Sequence, residues 1–207
     1  MHTPHSSWPL TRFAATLVTF CTLLFAGCGS SPQIQLYQLR ADPPASASAP
    51  SSAAPTAVSQ RWAVGRVRLP DYLDRDAILR PNGQAGMSAL KDQQWAEPLR
   101  DAVPRLLMQD LARLRGSNEV WRLPLPAGVS VARELQVEIE QFEATSDGSA
   151  VTLAARWILI DPSGKTTAQV FHSRIRIPSA EPTPDALVNA HRVALWAFAQ
   201  DIQARGG

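Results

Sequence analysis

A histidine beside a serine is the pairing in this sequence whose residue types could carry out nucleophilic catalysis. His172 directly precedes Ser173 in a segment that alternates between apolar and polar residues, as a strand does. A serine nucleophile needs a base within hydrogen-bonding reach, but adjacent strand residues point to opposite faces of a sheet. We therefore predict that this pair is not catalytic, that the chain has no catalytic residues, and that the protein is not an enzyme.

A cysteine near the N-terminus suits a different chemistry, the covalent attachment of fatty acids. Arg12 precedes an uncharged apolar stretch, residues 13–26, which is shorter than the roughly 20 residues that cross a bilayer and is typical of a secretory signal. Gly27 and Cys28 follow, and Leu24-Phe25-Ala26-Gly27-Cys28 resembles the bacterial lipobox, with Phe25 where the lipobox has Leu. We predict cleavage between Gly27 and Cys28 and acylation of Cys28; an ordinary signal peptide with a chance cysteine is the alternative.

The residue after the predicted anchor bears on location. Gly29 follows Cys28, whereas in similar lipoproteins an Asp there signals retention in the inner membrane. The sequence therefore favours lipid attachment to the periplasmic face of the outer membrane of a Gram-negative cell.

The sequence gives little support for a metal, cofactor or nucleic-acid site. Cleavage removes Cys21 and leaves His172 and His191 as the remaining histidines, too few for a His/Cys zinc site. His191 falls on the apolar side of a predicted helix and is expected to be a buried structural residue. Loss of Arg12 leaves 19 Lys and Arg against 18 Asp and Glu, whereas nucleic-acid binding requires clustered positive charge. No glycine-rich loop with a Lys-Ser/Thr ending cradles a phosphate, so no metal or cofactor is expected.

The chain divides into three parts. Residues 1–27 form the predicted signal peptide. Residues 28–59 hold the lipidated N-terminus, a short alternating strand at 34–39, and an Ala/Pro/Ser-rich stretch at 41–59 that cannot bury enough apolar surface to fold and is predicted to be a flexible loop. If the strand pairs with the body, this loop is an insertion and not a stalk. Residues 60–207 are long enough for one core and form the predicted folded domain.

Periodicity predicts the elements of that domain. Trp62–Leu69 alternates and stops at Pro70; two short runs flank the Pro81-Asn82-Gly83 turn as a hairpin. Helical spacing begins at Trp95 and ends at Gly116, with Pro104 expected to kink the helix unless regular structure starts later. Three strands joined by short turns then precede a helix that opens at Pro184. The order predicts an α+β fold, mainly an antiparallel sheet with two helices packed on one face.

Several motifs resemble, in order, the PqiC/YmbA family of auxiliary lipoproteins. They are Tyr37-Gln38-Leu39, the stretch from Val67 through Pro70-Asp71-Tyr72-Leu73, the stretch Trp95-Ala96-Glu97-Pro98-Leu99, and Trp157 followed by the Asp161-Pro162-Ser163-Gly164 turn. The resemblance spans nearly the whole mature chain, apart from the Ala/Pro/Ser-rich stretch.

This resemblance implies a non-enzymatic subunit of an MCE-type intermembrane phospholipid transport system. Such a subunit docks a periplasmic MCE-domain protein of the PqiB kind to the outer membrane and supports envelope integrity. An independent lipoprotein that binds lipid or another apolar ligand in its own cavity is the alternative, and a hydrolase using Ser173 is a third hypothesis. Symmetry with a ring-shaped partner suggests a homo-oligomeric ring, by analogy only.

Two of these motifs are candidate sites. Pro70-Asp71-Tyr72-Leu73 is a candidate partner-binding loop, because aromatic residues with a polar tip are favoured at interfaces; a strand-ending turn that packs on its own domain is the alternative. Trp95, Pro98, Leu99 and Trp157 are read as structural residues of the motif, with Trp95 buried at the start of the first helix. For Trp121 and Trp196, core and interface remain equally open.

Overall fold

The computed structural model describes residues 33–44, 60–116 and 119–206. Its body, Ile34–Gly207, is an α+β fold of eight strands and two long helices in this part of the chain. The predicted cleavage site at Gly27 and Cys28 lies outside the described residues. The strands are β1 (Gln35–Tyr37), β2 (Trp62–Arg68), β3 (Ala77–Asn82), β4 (Gly86–Trp95), β5 (Val120–Arg122), β6 (Arg133–Ala144), β7 (Ala150–Ile160) and β8 (Gln169–Pro178); the helices are α1 (Leu99–Leu114) and α2 (Pro184–Gly206).

The strands divide between two sheets. A three-stranded sheet has the order β1-β4-β3, and a five-stranded sheet has the order β5-β2-β6-β7-β8. The predicted hairpin is confirmed as β3 and β4, with Gly83 in its turn at a φ of +73° that a side chain would strain. The predicted meander is confirmed as β6, β7 and β8, which pair antiparallel over most of their length.

Parallel pairing joins the strands that are distant in sequence. β1 pairs with β4, and β2 pairs with both β5 and β6, all in parallel. Parallel neighbours require a long crossover, and α1 lies in the crossover between β2 and β5. The predicted first strand therefore does pair with the body. Residues 45–59 come between β1 and β2 in the sequence, and both of these strands are paired within the body. This stretch is therefore an insertion, and it adds no length to the segment that precedes β1.

The first helix begins later than the apolar spacing predicted. Trp95 is the last residue of β4 and is buried there, and Pro98 precedes the helix as its N-terminal flanking residue. The helix runs through Pro104 to Leu114, and Gly116 follows it with a φ of +58°, a common helix stop. The expectation that Trp95 starts this helix was wrong, because strand pairing extends up to it. Trp95 pairs with Tyr37 of β1, and its N–H donates to the Asp76 carbonyl, just before β3, at 2.6 Å.

The helices cover one face of the five-stranded sheet. α1 packs on β2 and β5, α2 packs on β7 and β8, and the helices also pack on each other. The inward side chains of the sheet are buried, as their alternation predicted: Leu135, Val137 and Ile139 on β6, and Val151, Leu153, Ala155, Trp157 and Leu159 on β7. The second helix buries the predicted stripe of Leu187, His191, Ala194, Leu195, Phe198 and Ile202.

A buried ion pair joins the two helices to the N-terminal segment. Asp110 of α1 accepts two hydrogen bonds from the Arg192 guanidinium of α2, at 2.8 and 2.6 Å, and both side chains are almost fully buried. Arg192 also donates to the Arg40 carbonyl at 2.7 Å, and Arg113 donates to the Ala41 carbonyl. Burial raises the pKa of the Asp110 carboxyl, and the facing guanidinium opposes that effect. One guanidinium thus connects three segments that are far apart in sequence.

Asp110→Ala should destabilise the protein strongly. The change leaves Arg192 buried without its counter-charge, and breaking a buried pair from one side costs about 3–5 kcal/mol. Urea unfolding followed by far-ultraviolet circular dichroism measures this loss. Glu138→Ala, which removes a partner from the exposed Arg156 ion pair, is the matched control and should leave the unfolding midpoint near that of the wild type. Equal midpoints for the two variants would contradict the role given to Asp110.

Candidate partner-binding surface

Ser173 and His172 face opposite sides of β8, as predicted. Ser173 is buried; its hydroxyl donates to Asp201 at 2.5 Å and accepts from the Trp157 indole N–H at 2.8 Å. His172 is exposed on the other face. The serine thus satisfies two polar groups, and within the described residues the hydrogen-bond partners of its hydroxyl do not include a histidine that could act as a base.

His191 is a core residue whose ring fits among aromatic side chains. Its Nδ1 lies 2.7 Å from the Leu187 carbonyl, and Trp95 and Phe142 approach it edge-on, with ring centroids 5.4 and 5.0 Å away. Burial lowers the pKa of His191 to about 4, so the ring is neutral at physiological pH and donates its Nδ1 proton to the carbonyl. Within the described residues, no group of three or more His, Cys, Asp or Glu is placed to hold a metal ion.

The four motif residues read as structural lie in or against the core. Trp95, Leu99 and Trp157 are buried, and Pro98 sets the start of α1. Trp196 is buried as well, whereas Trp121 is partly exposed on β5.

The candidate loop Pro70-Asp71-Tyr72-Leu73 forms a short turn of 3-10 helix after β2. Leu73 is buried in the core, and the Tyr72 hydroxyl donates to the Glu143 carboxylate at 2.6 Å. Burial, together with the Glu143 carboxylate, raises the pKa of the Tyr72 hydroxyl above its ordinary value. Asp71 is exposed and Pro70 half-buried. The tyrosine therefore packs on its own domain, and the part of this loop open to a partner is the Pro70-Asp71 corner.

A groove beside this turn was not visible in the sequence. It has a volume of about 720 Å3 and runs between β2, α1 and the segment after β5. We call it the Arg66 groove; its lining residues are Gly65, Arg66, Val67, Arg100, Pro104, Arg122, Leu123, Pro124 and Leu125. Arg100 also pairs with Asp74 at 2.6 Å, so the groove wall is tied to the end of the 3-10 turn. This ion pair places the Arg100 side of the groove next to the end of the turn.

The charge of this groove is positive. Arg66 and Arg122 are exposed, and neither makes an ion pair with any part of the chain that the structure describes. The apolar side chains of Val67, Leu123 and Leu125 line the same groove. Unpaired guanidinium groups beside apolar side chains suit an acidic, partly apolar segment of another molecule.

The chain matches one protein family in sequence and several solved structures in fold. A family model described as "ABC-type transport auxiliary lipoprotein component" matches residues 37–203. No curated protein is significantly similar in sequence. A solved structure of an uncharacterized protein is 17% identical, covers 85% of this chain and 100% of its own, and superposes with a TM-score of 0.66. A Xanthomonas campestris protein described under the family model DUF330 is 18% identical, covers 81% of this chain and 92% of its own, with a TM-score of 0.61. Both structures show the same fold.

In the described part of the body, neither helix combines the length and apolar character needed to cross a membrane.

His191 should make the stability of the protein depend on pH between about 4 and 6.5. The unfolded chain takes up the histidine proton below its ordinary value of 6.5, whereas the folded chain does so only near 4, so stability falls as pH falls through this window. The loss should approach about 3 kcal/mol. Urea unfolding across this pH range measures it.

The matched variant is His191→Asn, whose amide can still donate to the Leu187 carbonyl but does not titrate. Its stability should vary less with pH than that of the wild type over the same window. The carboxyls of Asp147 and Asp161 have pKa values lowered to about 2, so their contribution to folding stability is lost only as pH falls below about 3.8. They therefore do not account for a change between pH 4 and 6.5. Parallel pH profiles for the variant and the wild type would refute the assignment.

Proposed function

This chain belongs to the family of ABC-type transport auxiliary lipoprotein components, and on that premise we propose that it is the lipid-anchored subunit of an MCE-type intermembrane phospholipid transport system. In this proposal it docks a periplasmic MCE-domain protein to the outer membrane and supports envelope integrity. The observation that carries the proposal is the match over residues 37–203, which covers nearly the whole folded body, downstream of a lipobox-like sequence that ends at Cys28.

The anchor is the first element of the proposal. Acylation of Cys28 would attach the N-terminus to the membrane, because each buried methylene adds about 0.8 kcal/mol of membrane affinity. Gly29 in place of Asp supports the outer membrane as the destination. Only a few residues separate Cys28 from β1, so the body would stay near the periplasmic face of the membrane.

The surface that meets the MCE protein is the second element. We assign it to the Pro70-Asp71 corner and the Arg66 groove, since these adjoin and combine exposed charge with apolar side chains. An acidic segment of the partner would pair with Arg66 and Arg122 at the rim and place apolar side chains between them. A ring of several copies would present this surface repeatedly to a ring-shaped partner.

An independent lipid carrier is less well supported. A carrier needs an enclosed apolar cavity for an acyl chain. Here the space between helices and sheet is filled by large side chains, among them Phe142, Trp157 and Phe198, which are all but fully buried. The Arg66 groove opens to solvent on the surface of the body.

Cys28→Ala should release the protein from the membrane. We expect the wild type to incorporate an alkyne-bearing palmitate during growth and to sediment with the outer membrane, and the variant to do neither. Cys21→Ala is the control, because Cys21 precedes the predicted cleavage site and should not affect labelling. An unlabelled wild type, or a variant that stays in the membrane fraction, would argue against the anchor.

Reversing charge in the groove should weaken binding of the MCE protein. Arg66→Glu with Arg122→Glu places two carboxylates where the proposed acidic segment binds, and truncating or reversing paired interface charges lowers affinity by about ten-fold or more. The measurement is the amount of a co-expressed MCE-domain protein that co-purifies with the detergent-solubilised lipoprotein. Arg176→Glu, an exposed arginine of β8 away from the groove, is the matched control and should bind as the wild type does. Undiminished co-purification of the double variant would exclude the groove as the docking surface.

A further inference from the structure

Two large apolar side chains are exposed at the very start of the folded body. Ile34 and Leu36 are 56% and 65% exposed, and in the described part of the chain the other exposed large apolar side chains are Met87 and Val170. Gln35 and Gln38 beside them are also exposed, and Tyr37 turns toward the core. Two exposed apolar residues so close together, Ile34 just before β1 and Leu36 on it, are unusual unless something covers them.

The strand that carries them is held firmly. β1 pairs with β4, and the Ala96 N–H donates to the Tyr37 carbonyl at 2.7 Å. Leu39 is buried, and the Arg192 guanidinium holds the Arg40 carbonyl. The positions of Ile34 and Leu36 are therefore fixed relative to the body, so whatever they touch also orients it.

The predicted lipid anchor is very close in sequence. Cys28 lies six residues before Ile34 and eight before Leu36. Since an extended chain spans at most about 3.6 Å per residue, Ile34 stays within about 22 Å of Cys28 and Leu36 within about 29 Å. The stretch 45–59 follows β1 and cannot lengthen this tether. An acylated Cys28 would therefore keep β1 within about 29 Å of the membrane, close enough to reach its surface.

The neighbouring charge suits phospholipid headgroups. Residues 29–36 contain no charged side chain, so no acidic group opposes a headgroup there. Lys91 is exposed on β4 two residues before Gln93, which pairs with Gln35. Asp92 lies between them and is half-buried. An exposed ammonium on the strand next to this uncharged segment suits contact with the interfacial region of a bilayer.

We propose that Ile34 and Leu36 form a membrane-contact strip that inserts into the boundary between headgroups and acyl chains and fixes the orientation of the body on the bilayer. This proposal rests on the proposed acylation of Cys28. The anchor supplies attachment, and the strip supplies orientation. With β1 against the lipid, the body cannot rotate freely about its tether.

The mature protein offers a direct test because acylation leaves it without a free thiol. Leu36→Cys in the full acylated protein is labelled with a polarity-sensitive fluorophore and reconstituted into vesicles of phosphatidylethanolamine and phosphatidylglycerol. We expect blue-shifted emission, quenched by spin-labelled phospholipid about three-fold more than at the control position. That control is Val170→Cys, whose 55% exposure on β8 is similar to that of Leu36.

The vesicles contain no other protein, so any burial of the label comes from lipid. If the protein floats with the vesicles but both positions are quenched equally, the membrane-contact strip is wrong and the lipid anchor still stands. The exposed side chains would then be assigned to contact with a protein partner. If the protein does not float with the vesicles, both the lipid anchor and the membrane-contact strip are contradicted. Near-ultraviolet circular dichroism checks that each labelled variant is folded.

Discussion

The buried pair of Arg192 and Asp110 is the constraint on which the N-terminal half of this architecture depends. A guanidinium enclosed by protein must satisfy its donors, and here it does so with a carboxylate on one side and the Arg40 carbonyl on the other. The pair therefore sets the spacing of the two helices and holds the chain that leaves β1. Because β1 begins seven residues after the predicted anchor at Cys28, this core interaction would, under the proposed acylation, also fix how the body hangs from its tether.

What could be predicted from sequence was local. The meander, the β3–β4 hairpin and the stripe of α2 each follow from a period that a few consecutive residues display. The parallel pairing of β2 with β5 and β6 joins segments far apart along the chain, and no periodicity encodes it. Trp95 was misplaced for a related reason: it fits the helical spacing that follows it, but its backbone is held by Tyr37 of β1 and by the Asp76 carbonyl just before β3.

For the candidate sites, too, local patterns could be predicted from the sequence and contacts between distant segments could not. Strand alternation alone predicted that His172 and Ser173 face opposite sides of the sheet. The structure adds that the serine hydroxyl is hydrogen-bonded to Trp157 and Asp201. The Arg66 groove could not be foreseen, because its walls come from β2, α1 and the segment after β5. Arg66 and Arg122 carry no signal of their own in the sequence, and only the fold shows that they flank the same apolar cleft.

The stretch between β1 and β2 has a consequence for how such proteins can diverge. Pro44 at its start is buried, and the Gln60 carbonyl near its end accepts a hydrogen bond from Arg115 at 3.0 Å. Both ends are thus pinned to the body, and loop closure grows only slowly in entropic cost with length. Insertions and deletions can accumulate there without changing the reach of the lipid tether. The same place would accept an epitope or a fluorescent reporter, which makes the interruption a natural graft point for following the protein in living cells.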